Sequence, residues 1–81
     1  MNAGILELDV HGMTAYQLRI AVDAKLRRAD SSVYRLRVIH GYHGGTALRD
    51  ELRSRYAKHP KVLRIEQGLN PGSTDLVLRE F

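Results

Sequence analysis

Asp9, His11 and His40 have the types and spacing for proton-transfer chemistry. Leu6-Glu7-Leu8-Asp9-Val10-His11-Gly12 and Leu36-Arg37-Val38-Ile39-His40-Gly41 are strand-like runs that both end in His-Gly. Each delivers an imidazole to the carboxyl end of a strand, the edge at which open α/β sheets bind ligands. Two imidazoles flanking a phosphodiester would serve as general base and general acid, because their protons exchange near neutral pH. Asp9 and His11 lie two apart, on one face of a regular strand, so the carboxylate could orient the ring or stabilise its charge. The competing reading is a pair of ordinary βα turns, with Asp9 accepting backbone N–H bonds. Such a histidine pair suits RNA cleavage by the neighbouring 2′-hydroxyl, which needs no metal. DNA lacks that hydroxyl, and nicking it would call for an activated water and a bound Mg²⁺ or Mn²⁺. No metal site is expected from one carboxylate and imidazoles.

The elements that must position these groups follow from periodicity. Leu6, Leu8 and Val10 alternate with Glu7, Asp9 and His11, the pattern of a strand with one covered face. Thr14-Ala15-Tyr16-Gln17 fits a capping box, and Leu18, Ala21, Val22 and Leu26 continue at helical spacing until Asp30-Ser31-Ser32. A second strand is predicted from about Val33 to Ile39. A second helix begins near Ala47 with the apolar stripe Leu48, Leu52 and Tyr56, and Pro60 stops it. Val62 to Gln67 reads as a third strand, Asn70-Pro71-Gly72 as a turn, and Thr74 to Phe81 as a fourth strand. The expected fold is a two-layer βαβαββ sandwich, a four-stranded mixed sheet with two helices on one face. Right-handed crossovers and the apolar fourth strand favour the spatial order 1-2-4-3. That order makes the first two strands neighbours and puts both His-Gly ends on one edge. Glu7, Arg35, Arg37, Arg64, Glu66 and Arg79 then read as a solvated open face.

Around the second His-Gly, Gly41, Gly44 and Gly45 let backbone approach a ligand closely. With Thr46 at the helix start they make a candidate phosphate site. Tyr42 could stack on an unpaired base. His43, Arg49 and Arg53 extend the candidate nucleic-acid contacts, the two arginines one turn apart and leading away from the loop.

Leu8-Asp9-Val10-His11-Gly12, Ile39-His40-Gly41 with its Gly-rich loop, and Thr46-Ala47-Leu48-Arg49 together resemble the small MutS-related (Smr) domain family. The closing hairpin from Gly72 to Leu78 is similar too, while the second loop is longer than the family's His-Gly-x-Gly-x-Gly pattern. The resemblance implies a fold like the C-terminal domain of translation initiation factor three. It implies an endonuclease acting on DNA or RNA, with a catalytically silent DNA-, RNA- or ribosome-binding module as the alternative. The implied partners are nucleic acid, the ribosome and a larger MutS-like chain.

Bulk composition agrees with that class. The chain has 81 residues, 13 Lys and Arg against 9 Asp and Glu, and no cysteine. One domain is expected, residues 5–81 after a tail at 1–4, with the thin core of a small chain. A sequence pI near 9.9 is the footprint of a nucleic-acid binder. The lack of cysteine removes disulfides, thiolate metal sites and thiol nucleophiles together. With no signal peptide or membrane-spanning run in sight, the expected setting is the cytoplasm.

Overall fold

A computed structural model of the chain describes residues 4–41 and 46–80. Its elements are β1 (Ile5–Asp9), α1 (Ala15–Arg28), β2 (Arg35–Ile39), α2 (Ala47–Tyr56), β3 (Arg64–Gln67) and β4 (Ser73–Val77). They form one four-stranded sheet in the order β1-β2-β4-β3. β1 and β2 are parallel, and β4 runs antiparallel between β2 and β3. The expected βαβαββ sandwich and its strand order are therefore the observed ones.

Period-2 alternation decides which face is covered. Leu36, Val38 and Leu76 are buried against Leu18, Val22 and Leu26 of α1 and Leu52 and Tyr56 of α2, with Leu6, Leu8 and Ile65 packed at the margin. α1 starts where the sequence places it. The Thr14 hydroxyl accepts the Gln17 N–H, and the Gln17 side chain accepts the Thr14 N–H. Tyr56 is the largest fully buried side chain. Its hydroxyl donates to Asp23 Oδ1 at 2.7 Å, which ties α2 to α1. Burial first, and then that carboxylate, push the phenol far above its ordinary range.

The open face differs from the expected solvated one. Asp75 lies at its centre with 1% exposure. It accepts from Arg35 at 2.7 Å and from Arg37 Nε and Nη2 at 3.0 Å each. Glu66 accepts from Arg35 on one side and Arg64 on the other. The cause is register: Arg37 pairs with Asp75, while Asp75 pairs with Glu66, and the two acids set side by side are bridged by Arg35 from two positions along β2. The strand ends also differ by a few residues. β2 begins at Arg35 and β4 ends at its partner Val77, because the ladder between them stops at that pair; Leu78 N and Arg79 N donate instead to the Tyr34 carbonyl.

Neutralising Asp75 leaves half-buried Arg37 without its counter-charge and Arg35 with Glu66 alone. Asp75→Asn should lower the unfolding free energy by about 3 kcal/mol, the low end for a broken buried pair because both arginines keep some water contact. Urea denaturation measures this; a loss below about 1 kcal/mol would show the cluster to be dispensable.

Candidate active site

β1 ends at Asp9, and the chain turns through His11 and Gly12, whose φ of 79° is left-handed and favours glycine. Within that turn, Asp9 Oδ1 accepts the His11 backbone N–H at 3.1 Å and contacts His11 Nδ1 at 2.6 Å. A carboxylate only accepts, so Nδ1 carries the proton and Nε2 is the outward nitrogen. The His11 side chain is 72% exposed and that of Asp9 54%. The His11 ring, then its backbone N–H, holds the Asp9 carboxyl below the usual carboxylate range. One carboxylate oxygen thus serves both the backbone of the turn and the ring.

The second His-Gly is built differently. His40 has the same parity as Leu36 and Val38, so its ring enters the helix-covered side and is 7% exposed. Nδ1 donates to the Gly41 carbonyl at 2.7 Å, and Nε2 is 2.9 Å from Thr74 Oγ1. Its backbone N–H and that of Gly41 both donate to the Gly72 carbonyl, each at 2.9 Å. His40 therefore departs from the expectation of an accessible general acid: both ring nitrogens are engaged inside the fold. Gly72 and Thr74 belong to the closing hairpin that the sequence marks, but no motif in the sequence ties them to His40. The available signal was a threonine on the core-facing parity of the otherwise apolar Leu76 side of β4.

The two turns nevertheless meet. Val10 N donates to Ile39 O at 2.8 Å, and a methyl placed on Gly41 would lie 3.7 Å from His11 Cβ. Gly41 itself has φ 79°. Asp9, His11 and Gly41 are thus gathered on one edge, with His40 directly beneath. Tyr42, His43, Gly44 and Gly45 lie outside the described residues. Thr46 is the N-cap residue of α2, but its hydroxyl donates to Asp50 Oδ2 at 2.9 Å rather than capping a backbone N–H. Arg49 Nε stands 3.6 Å from Asp50 Oδ1, and Arg53 is exposed. No three His, Asp or Glu side chains converge among the described residues. Asp9 and His11 alone do not meet the coordination demand of Mg²⁺, which favours oxygen donors.

A mixed four-stranded sheet with helices on one side and paired His-Gly turns at one edge defines a small α/β domain with an edge site. The Smr domain family model matches residues 8–74, and the chain belongs to that family. The crystal structure of the Smr domain of Thermus thermophilus MutS2 is similar, with a TM-score of 0.82 and 28% sequence identity, over 93% of this chain and 99% of that one. Comparison with curated protein sequences gives no match. Among the described residues no helix is long and apolar enough to cross a membrane.

Because its pairing with His11 depresses the Asp9 pKa, that stabilisation is present above the ordinary carboxylate range and lost as pH falls through the depressed value. An NMR titration of the Asp9 carboxyl should give a midpoint below the usual range, and His11→Ala should move it upward. A wild-type midpoint at the ordinary value would show that the contact does not persist in solution.

Proposed function

We propose that this Smr domain binds nucleic acid and cleaves its phosphodiester backbone at the edge formed by Asp9, His11 and Gly41. The observation that carries the reading is the Asp9–His11 contact at 2.6 Å, which fixes the ring and leaves Nε2 directed outward. On RNA, His11 Nε2 takes the 2′-hydroxyl proton as that oxygen attacks phosphorus, and Asp9 stabilises the imidazolium. The leaving 5′-oxygen acquires its proton from solvent, to which this edge is open. The Gly41 backbone and the amide end of α2 favour the phosphate's charge. His40 acts as a positioning residue: it holds Gly41 through its carbonyl and anchors the turn to Thr74. RNA is the favoured substrate because this route needs no metal; DNA nicking with Mg²⁺ or Mn²⁺ would require donors beyond Asp9 and His11.

One observation favours a second reading. With His40 engaged at both nitrogens, a single exposed imidazole remains among the described residues at this edge, which suits a recognition module for nucleic acid or the ribosome.

Labelled RNA, single-stranded DNA and supercoiled plasmid, each with EDTA or Mn²⁺, separate the two. Cleavage of RNA in EDTA that His11→Ala reduces at least about a hundredfold, within the range for loss of a general acid–base group, supports the enzyme. Binding without cleavage, unchanged in His11→Ala, supports the module. His40→Ala should instead lower stability by about 2 kcal/mol, since it removes a buried partner of Thr74. If His40→Ala abolishes cleavage while the melting temperature is unchanged, His40 is a catalytic group after all.

A further inference from the structure

Charge divides unevenly between the two layers. Nine of the thirteen Lys and Arg residues lie on α1, α2 or the link from α2 to β3, together with three acids, Asp23, Asp50 and Glu51. The sheet and remaining turns hold the other four cations and six acids. Three of the sheet's cations are already paired with carboxylates: Arg35 and Arg37 with Asp75, and Arg64 with Glu66 and Glu80. On the helical layer, by contrast, Lys25, Arg27, Arg28, Arg53 and Lys58 have no carboxylate within 4.0 Å among the described residues.

One of them, Arg27 of α1, lines an open cavity of about 380 Å³ with Asp23, Arg55, Tyr56, His59 and Lys61. Asp23 there is engaged by the Tyr56 hydroxyl, and Arg55 of α2 shares Glu51 at 2.9 Å. Lys61 Nζ donates to the Leu26 carbonyl at 2.8 Å, which holds this ammonium at the cavity wall. The helices run antiparallel to β1 and β2, so the cavity lies at the end of the domain opposite His11. The fourteen residues of α1 span about 21 Å, roughly the length of six base pairs. Cations in a last helical turn also complement the helix dipole, but that does not account for Lys61, which lies beyond α2 and lines the same cavity.

We propose that the phosphodiester backbone of the bound nucleic acid runs over the helical layer, from the His11 edge to a phosphate-binding cluster of Arg27, Arg55 and Lys61, and leaves the open sheet face uncovered. This rests on the nucleic-acid reading above and assigns the surface that reading uses. A duplex or a single strand meets the same surface, since the recognised group is the phosphate.

The test compares two neutralised variants by fluorescence anisotropy, on a labelled RNA strand and a DNA duplex of about sixteen nucleotides or base pairs, between about 50 and 200 mM salt. One variant is Arg27→Gln/Arg55→Gln/Lys61→Gln at the cluster; the control is Arg64→Gln on the sheet side. The helical variant should bind at least about tenfold more weakly, with a shallower salt dependence by roughly one unit per lost phosphate contact. The sheet variant should stay within about twofold of wild type. Thermal melts followed by circular dichroism check that both variants fold, and single substitutions at Arg27 and Arg55 replace a cluster variant that does not. Wild-type affinity in the helical variant, or an equal loss in the sheet variant, overturns the proposed path while the nucleic-acid reading stands. Failure of the wild-type domain to bind either probe overturns both.

Discussion

β4 is the constraint on which the rest of the structure depends. A parallel pair such as β1–β2 leaves each strand with an unsatisfied outer edge, and an 81-residue chain has little core with which to cover it. Inserting β4 antiparallel between β2 and β3 pairs the outer edge of β2 and gives β3 its partner. It also places a different group on each face of the centre. Thr74 and Leu76 point into the helical layer, while Asp75 points the other way and gathers Arg35 and Arg37. β4 is buried along its whole length even though no helix covers one of its faces. The arginine side chains do that covering, their stems lying over the strand while their heads share one carboxylate.

The site inherits its order from the same strand. Asn70 Oδ1 accepts the Gly72 N–H at 2.8 Å, and Gly72 in turn offers its carbonyl to both His40 and Gly41. A turn between β3 and β4 thus sets the backbone at the end of β2. The ring of His40 then locks the peptide after Gly41. The Asp9–His11 contact needs none of this, because residues two apart on one turn satisfy each other locally. The edge therefore combines one dyad built by local geometry with one supporting turn built by long-range contacts.

The two faces of the molecule reach opposite electrostatic solutions. On the sheet, cross-strand register brings opposite charges into hydrogen-bonding contact, so the field there is largely cancelled. On the helices, the outward positions carry cations whose nearest acids are few, and the field is left standing. A surface of that kind attracts a polyanion at long range before any specific contact forms. The division also explains why net charge alone, which averages the layers, understates how basic one of them is.

The sequence by itself determined the elements, their order and the local dyad, because each depends on short-range periodicity and capping. Leu6-Leu8-Val10 alternation, the Thr14–Gln17 capping box and the two-residue spacing of Asp9 and His11 carry their meaning within a few residues. Strand order followed as well, since crossover handedness and an apolar fourth strand leave few arrangements. What only the tertiary structure decided was the fate of polar groups whose partners are distant in the chain. His40 reads like His11 in its motif, yet its parity places it under the sheet edge, where Thr74, 34 residues away, receives it. Asp75 follows Ser73 and Thr74 in the polar half of β4, and only the β2–β4 register shows that Arg35 and Arg37 meet there. The physical reason is the same in both cases. A buried polar side chain must find a partner, and which partner it finds is fixed by register between strands rather than by any pattern along one of them.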